Sequence, residues 1–353
     1  MPSQRKAPKR RHSGPTITDV AREAGVAIMT VSRVVNGGSY VSPATEKRVR
    51  AAIRRLGYTP NEAARMLKGQ RARMIGLVVP DLADSFFATC ADAVQEVAGT
   101  HGYMTLIVTS ERSVERESNE IAMMAARRIA GLLIVPSRED ADRRLRELQQ
   151  SEIPLVALDR TLDGVEAGQV IVENAGGAEE AVRHLIGHGH RQIICIGYDA
   201  KVYTIHQRIQ GYRRAMKEAG LKPEVWSNLT TAPAAEVLLR RLMSEPERPT
   251  ALFTLNNVTT IHALQAIRAM HLHMPSDLAM IGFDDLELAP LLDTPITAVR
   301  QPAVELGRSA ARMLFDMIRH AHDGGTEGQP ARRIVLPTEL ILRASCGCNH
   351  QNV

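Results

Sequence analysis

Polar and charged side chains recur where the predicted strands of this chain end, and their types suit the binding of a small molecule. They are Asp81, Ser110, Asp159, Arg160, Asn256 and Asp284. In parallel sheets, ligands bind beyond the carboxyl ends of the strands. Carboxylates, amides and guanidinium groups that meet there make paired hydrogen bonds to a hydroxyl-rich or acidic small molecule.

Two adjacent aromatic residues, Phe86 and Phe87, follow the first of these strands. Their faces offer a surface on which a sugar or another ring could stack. Phe86 is equally consistent with a core side chain, and Asp159 or Asp284 with a helix cap. The sequence leaves both interpretations open.

The strands that must position these residues are short apolar runs separated by amphipathic helical patterns. They cover residues 74–79, 103–108, 131–135, 154–158, 192–197, 250–255 and 278–283. Runs without polar alternation indicate parallel sheets that are covered on both faces. About 270 residues of this pattern are enough for two such sheets. The body is therefore predicted to be α/β, with two parallel-sheet subdomains.

Length and composition agree with this class. The chain has 353 residues, which favours two or three domains, and only 3% of them are aromatic. No apolar run reaches the ~18–20 residues that cross a bilayer, and no hydrophobic segment follows the basic N-terminus. We expect a cytoplasmic protein with no membrane partner, whose four cysteines are reduced.

Charge is distributed unevenly along the chain. Residues 1–70 contain fourteen Lys and Arg against four Asp and Glu, a balance of +10. The whole chain carries +5, so residues 71–353 carry −5. A basic segment on a mildly acidic body indicates a polyanionic partner, and nucleic acid fits because each cation paired with a phosphate releases a counterion. A solvated basic tail would explain residues 4–12 alone.

The basic segment contains three predicted helices. Thr16 caps the first, which covers residues 17–24. Gly25 turns the chain into the second, over residues 28–36. The third begins after a cap-plus-proline signal at Ser42-Pro43 and ends at Leu56. Three short helices around one small core, the second reached through a tight turn, make a helix-turn-helix.

The second of these helices opens with two apolar residues, Ile28 and Met29. We expect them to point outward, because apolar side chains read thymine methyl groups in the major groove of DNA. The alternative places both side chains in the core of the head.

Three segments resemble the lactose-repressor/galactose-repressor (LacI/GalR) family of bacterial transcription regulators. They are TITDVAREAGVAIMTVSRVVNG (16–37), VSPATEKRVRAAIRRLGYTPNEAARMLKG (41–69) and IGLVVPDLADSFFA (75–88), within a collinear likeness over about residues 16–345. The DNA contacts that the resemblance implies are Thr16, Ala27, Ile28, Met29, Thr30, Ser32, Arg33 and Asn36. The family commonly has Ser at the position of Ala27, a hydroxyl worth about 0.5–2 kcal/mol as a helix cap.

The resemblance assigns residues 61–71 to a hinge helix that folds on DNA and pairs with its twin in a dimer. Asn61 would cap this helix, and Ala64 would let the backbone approach the DNA. Leu67 matches the leucine that wedges between base steps of the minor groove, a known way to kink the duplex. A plain linker helix is the alternative.

The resemblance also implies the arrangement of the body, as two sheets like those of periplasmic sugar-binding proteins joined by three chain crossings near residues 171, 300 and 332. The implied segments are a basic tail (1–15), the helix-turn-helix head (16–60), the hinge (61–71), a first subdomain (72–171 and 301–331), a second subdomain (172–300 and 332–345) and a tail (346–353). Arg208 matches the effector-binding arginine of the family. Asn256-Asn257 replaces a usual Asn-Asp, which favours an anionic effector such as a sugar acid.

Together these features imply a DNA-binding transcriptional regulator, most consistently a repressor. Its expected partners are double-stranded operator DNA, a sugar, sugar acid or related metabolite as effector, and itself as a homodimer or tetramer. A solute-binding protein of a transport system is the alternative, because it would share the body. A third option is an α/β enzyme fused to a DNA-binding tail.

Common enzyme signatures are missing from the sequence. It has no glycine-rich phosphate loop and no G-x-S-x-G elbow, so no catalytic residue and no cofactor are expected. No metal is expected either, because Cys346-Gly-Cys348 lacks a second pair and the histidines of GHGH (187–190) lack cysteine or carboxylate partners.

We expect the substitution Leu67→Ala to weaken specific operator binding more than binding to random duplex, because only the specific complex contains the wedged base step. Titration of both duplexes at one salt concentration measures this difference. Equal weakening on the two duplexes would show that the wedge assignment is wrong.

Overall fold

The computed structural model describes residues 14–36, 41–58, 72–140, 142–322 and 332–348. These residues divide into a head, up to Ala72, and a body from Arg73 onward. Asn61, Ala64 and Leu67 lie outside the described residues. Within them, no helix combines the length and apolar character that a membrane span requires.

The head consists of α1 (Ile17–Ala24), α2 (Ile28–Asn36) and α3 (Pro43–Leu56), with the bounds that the sequence predicts. Thr16 caps α1 reciprocally: its hydroxyl accepts from the backbone N–H of Asp19, whose carboxylate accepts from the Thr16 backbone N–H at 2.9 Å. Gly25 ends the helix in the left-handed region, at φ 61°. The core that holds the three helices together consists of Val20, Ala21, Ala24, Val31, Val34, Val49 and Ala52.

The first lobe of the body is built on a six-stranded parallel sheet with the order β11-β5-β4-β3-β1-β2. Its strands are β1 (Met74–Val79), β2 (Met104–Thr109), β3 (Leu132–Ile134), β4 (Leu155–Leu158), β5 (Gly168–Val172) and β11 (Arg333–Leu336). Its helices are α4 (Ser85–Thr100), α5 (Val114–Ala126), α6 (Arg143–Gln150) and α11 (Ala303–His322). Aliphatic side chains of α4 and α11 pack on one face of the sheet, and those of α5 and α6 pack on the other.

The second lobe repeats this plan with the strand order β12-β10-β9-β8-β6-β7. Its strands are β6 (Ile193–Ile196), β7 (Glu224–Trp226), β8 (Ala251–Thr254), β9 (Ala279–Phe283), β10 (Thr297–Arg300) and β12 (Glu339–Ile341). Its helices are α7 (Asn174–Gly187), α8 (Tyr203–Glu218), α9 (Ala232–Met243) and α10 (Asn257–Ala269). Only β12 runs antiparallel to its neighbour among these strands.

Within the described residues of the body, the chain passes between the lobes three times. The first crossing lies between β5 and α7, and the second lies between β10 and α11, close to the predicted positions 171 and 300. The prediction for the third, at residue 332, is wrong: β11 pairs with β5 in the first lobe, so the chain crosses at residues 337–338, just before β12. The mostly exposed run RIVL (333–336) gives little sign in sequence of which sheet it joins.

Helices α7 and α8 approach each other closely at Gly211. A Cβ atom there would lie 2.1 Å from the carbonyl oxygen of Ala175, closer than any real contact. We therefore expect Gly211→Ala to lower the free energy of unfolding by about 1–3 kcal/mol through overpacking. Gly187→Ala, at the end of α7 in open space, is the matched control and should not destabilise. Urea unfolding measures both, and similar stabilities for the two variants would contradict the close approach.

Candidate functional site

A cavity of about 400 Å³ lies between the carboxyl edges of the two sheets of the body. Residues that follow β1, β2 and β4 line it from the first lobe, and residues that follow β6, β8 and β9 line it from the second. The predicted site residues that line it are Asp81, Phe86, Phe87, Asp159, Arg160, Arg208, Asn256 and Asp284. The parallel topology explains why residues far apart in sequence meet here.

Ser110 is placed differently from the prediction. It follows β2, but it does not line the cavity and its side chain is fully buried. The chain turns immediately after it, with the Ser113 N–H donating to the Ser110 carbonyl, and its hydroxyl accepts a hydrogen bond from the Ser137 hydroxyl at 3.3 Å. The inward turn makes Ser110 part of the interior, and Arg112 occupies the cavity wall instead.

Arg208, on α8, is held in the cavity wall by several contacts. It is 3% exposed and donates to the carbonyl of Leu255 at 2.7 Å and to Asn174 Oδ1 at 2.8 Å. Its guanidinium lies 3.7 Å from Asp284 Oδ2 and 3.7 Å from the centre of the Phe283 ring. Burial lowers the pKa of Arg208, and the carboxylate of Asp284 opposes that change. A guanidinium fixed in this way presents a positive charge of defined orientation.

Asp159 and Arg160 enter the cavity at the end of β4. Their nearest charged atoms are 3.7 Å apart, and Arg160 donates to the carbonyl of Pro136 at 3.0 Å. Asp159 Oδ1 and Arg160 Nε are buried and have no hydrogen-bond partner within the protein. Burial raises the pKa of Asp159 to about 6, although Arg160 and Arg208 act in the opposite direction. Buried polar atoms without partners are uncommon, and here they suit a ligand that supplies the missing bonds.

Asp84 and Gln301 line the cavity without having been predicted from sequence, and they take part in contacts where the lobes meet. Asp84 caps α4 in the first lobe, and Asn257 of the second lobe donates to its Oδ1 at 2.7 Å. Gln301, at the second crossing, donates to Asp284 Oδ1 and leaves its own Oε1 buried without a partner. Burial and the nearby Asp284 carboxylate raise the pKa of Asp84. The position of Asp84 directly before SFFA predicts a helix cap from sequence. Its hydrogen bond with Asn257 of the other lobe leaves no signal in the sequence.

The charge of the cavity lining is close to balanced. Four aspartates, Asp81, Asp84, Asp159 and Asp284, face three arginines, Arg112, Arg160 and Arg208. The first lobe contributes three of these carboxylates, which offset the absence of a carboxylate at Asn257. This arrangement offers both acceptors and donors to hydroxyl groups, and it offers no excess of positive charge.

The first turn of α2 carries the predicted DNA-reading residues of the head. Ile28 is 46% exposed and Met29 is 65% exposed, so neither side chain belongs to the core. Arg33 is exposed, whereas Thr30 and Ser32 are half-buried on the same helix. Large apolar side chains in water at a helix start are available for contact with base edges.

The three remaining predicted contacts, Thr16, Ala27 and Asn36, lie at helix ends in the head. The side chain of Thr16 is engaged in the α1 cap. Ala27 lies just before α2, and its carbonyl accepts from the Thr30 N–H at 2.9 Å. Asn36 is the last residue of α2.

Known proteins resemble both units of the chain. The family described as bacterial regulatory proteins, lacI family, matches residues 16–61, and a periplasmic binding protein-like domain matches residues 182–346. The transcriptional repressor CytR of Escherichia coli K12 is 32% identical over 340 residues, which cover 96% of this chain and 98% of CytR. The repressor PurR of Aliivibrio fischeri MJ11 is 33% identical over 338 residues, or 94% and 98% of the two chains.

Solved structures agree with this likeness. A lac repressor dimer bound to operator and the anti-inducer ONPF superposes with a TM-score of 0.79 at 26% identity, covering 95% of this chain and 99% of that one. The complex of the transcriptional regulator CelR with cellobiose gives a TM-score of 0.68 at 32% identity, covering 94% and 99%. With a helix-turn-helix head, a two-lobed body and relatives that match over almost its whole length, the chain belongs to the lacI family of bacterial regulatory proteins.

Proposed function

We propose that this protein is a transcriptional repressor whose affinity for operator DNA is controlled by a hydroxyl-rich metabolite bound between the two lobes. The observation that carries the proposal is the set of buried, unpartnered polar atoms in the cavity: Asp159 Oδ1, Arg160 Nε and Gln301 Oε1. They leave hydrogen bonds for a ligand to complete where both lobes meet. A solute-binding protein would share the cavity, but the basic head and the repressor relatives favour the regulator.

The near balance of charges supports a neutral, hydroxyl-rich effector such as a sugar or a nucleoside over a strong anion. Ionised carboxylates accept hydrogen bonds from hydroxyl groups, and Arg160 donates to hydroxyl oxygens. Phe86 and Phe87 lie against each other edge to face, with ring centres 5.1 Å apart, and both line the cavity. Phe87 is also part of the core, so Phe86, which is half-buried, is the ring available for stacking.

Ligand binding can change the affinity for DNA through a relative motion of the two lobes. The Asp84–Asn257 hydrogen bond spans the cavity, and a ligand that strengthens or replaces it changes the relative stability of closed and open lobes. We propose that this motion alters the pairing of hinge segments (61–71) in a homodimer, and so the joint grip of two heads on a near-palindromic operator. In each head, Ile28 and Met29 would read the major groove, with Thr30, Ser32 and Arg33 beside them.

A second copy of the chain is the proposed occupant of an apolar groove on the second lobe. The groove is lined by α10 and the segment after β9, and its exposed side chains include Ile261, Leu288 and Leu292. Exposed apolar groups in one groove favour a protein interface. The lac repressor structure, described as a dimer on its operator, supports a dimer here.

Titration of operator DNA with and without candidate effectors tests the proposed function, and Arg208→Ala is its diagnostic variant. In the wild type, the effector should change operator affinity by about 5–150-fold. In Arg208→Ala, operator affinity should stay within about twofold while the response disappears, because coupling requires the effector to bind the two lobe states differently. Gel shifts with the DNA upstream of the gene for this protein, with and without each member of a panel of sugars and nucleosides, measure both quantities.

Arg214→Ala is the matched control, on the same helix but 55% exposed and paired with Glu179 outside the cavity. It should respond like the wild type. Since Arg208 also holds two buried acceptors, its loss costs about 1–3 kcal/mol of stability, and the titration is run well below the unfolding temperature of the variant. A normal response in Arg208→Ala would remove Arg208 from the site, and equal affinity of the wild type for operator and random duplex would end the proposal.

Asp159 gives a prediction in which stability and binding change in opposite directions. Its pKa of about 6 in the folded chain lies above the ordinary value of 3.8, so the folded chain holds this proton more tightly. The group therefore favours folding at low pH, and that contribution is lost as pH rises through about 6. We expect Asp159→Asn to raise the free energy of unfolding at pH 7.5 by about 1–3 kcal/mol and to weaken effector binding.

Effector affinity of the wild type should also fall as pH drops below about 6, because a protonated Asp159 accepts hydroxyl donors less well. Asp159→Asn should lose this pH dependence. Asp92→Asn, an exposed position on α4, is the control for a simple loss of charge and should change neither quantity. Calorimetry measures effector affinity and urea unfolding measures stability. Both are run at about pH 5.0, 6.0 and 7.5, on either side of the pKa of about 6. A destabilised Asp159→Asn with normal effector affinity would contradict the assignment.

A further inference from the structure

Four thiol and imidazole groups form a cluster in the second lobe, away from the cavity. His184 Nε2 lies 3.3 Å from Cys346 Sγ and 3.2 Å from Cys348 Sγ. Cys348 Sγ lies 3.3 Å from His188 Nε2, and the two sulfur atoms are 3.1 Å apart. The prediction that these cysteines and His188 lack partners is therefore wrong, because residues about 160 positions apart meet in the fold.

The end of α7 and a turn after β12 bring these four groups together. His184 and His188 are four residues apart at the end of α7, so both rings lie on one side of the helix, with centres 4.6 Å apart. Cys346 ends a 3-10 turn, and Gly347, at φ 92°, reverses the chain so that Cys348 returns to the same point. The Thr297 hydroxyl donates to Cys346 Sγ at 3.1 Å and anchors it. His190 bonds to Thr250 instead, at 3.0 Å.

The geometry and the ligand types fit one metal in particular. In a tetrahedral zinc site, metal–sulfur distances of about 2.3 Å and metal–nitrogen distances of about 2.0–2.1 Å place neighbouring ligand atoms about 3.3–3.8 Å apart. The ligand atoms of His184, His188 and Cys348 all lie within 4.8 Å of one another. Cys346 Sγ lies 3.3 Å from His184 Nε2 and 3.1 Å from Cys348 Sγ, so it completes the tetrahedron once it moves toward His188. Two thiolates with two imidazoles are a common structural zinc set.

We propose that His184, His188, Cys346 and Cys348 bind one Zn²⁺ ion. Four protein ligands complete the tetrahedron, so the site is structural and leaves no position for a substrate. The ion joins α7 to the segment that follows β12, and thereby fastens the C-terminal segment to the second lobe. The hydroxyl of Thr297 supports one ligand sulfur from outside the coordination sphere.

Metal analysis of the untagged, full-length chain tests the site. After reduction, incubation with zinc chloride and desalting, we expect about one zinc per chain. Cobalt in place of zinc should give the visible absorption of a tetrahedral site and a sulfur-to-cobalt charge-transfer band. Zinc should also raise the unfolding temperature.

His188→Gln and Cys348→Ser remove the more accessible ligands and keep the buried Cys346 intact. Loss of a supporting partner already weakens metal binding 10–100-fold, so loss of a ligand should weaken it at least about 100-fold in competition with a chelating indicator. His190→Gln, in the same GHGH segment but outside the cluster, should bind zinc and gain thermal stability like the wild type.

The proposal fails if the wild type and Cys348→Ser retain the same amount of zinc, or if the cobalt form lacks the charge-transfer band. It also fails if Cys346 and Cys348 form a disulfide, seen as a mass two hydrogens lower, and the reduced chain then takes up no metal. Zinc uptake without any rise in unfolding temperature would overturn the structural role.

Discussion

A guanidinium–carboxylate pair, Arg208 with Asp284, is the interaction around which the cavity of this protein is built. Arg208 binds the carbonyl of Leu255 directly after β8, the side chain of the first residue of α7, and the carboxylate that follows β9. Breaking a buried pair by removing one partner is far more costly than losing a surface pair, because the remaining charge stays in a medium of low dielectric. Arg208 therefore holds the ends of β8 and β9 and the start of α7 in place at the point where the cavity forms.

The same region contains conformations and groups that a purely structural site would avoid. Asp159 and Asp284 both lie at the ends of strands with left-handed backbone angles, φ 67° and 74°, which non-glycine residues seldom adopt. They bring two carboxylates to one cavity, and one of them retains an oxygen without a partner. Strain and unsatisfied polarity at one place are typical of binding sites, where function is maintained at a cost in stability.

Local signals made the head and the central strands predictable from sequence. The caps at Thr16 and Ser42 and the turn at Gly25 fix α1, α2 and α3, and the central strands are uninterrupted apolar runs. The sequence does not predict the strands β5, β7, β10, β11 and β12, because each of them contains a charged or amide side chain and so lacks an uninterrupted apolar run.

The candidate site was predictable only in part, because the strand ends are visible in the sequence and the contacts between distant segments are not. Most residues that follow strands reach the cavity because parallel strands end at a common edge. Ser110 does not, since a local turn directs it inward. Asp84, Asn257 and the cysteine–histidine cluster depend on pairings between distant segments, which no periodicity in the sequence records.

The interlaced path of the chain has a consequence for its synthesis on the ribosome. The first sheet receives its last strand, β11, 161 residues after β5 ends, since 333 − 172 = 161, and β12 completes the second sheet still later. At roughly 5–20 residues per second, the edge of β5 waits about 10–30 s for its neighbour. During that interval a nascent chain exposes an unpaired, aliphatic strand edge, which invites pairing between chains on one polysome.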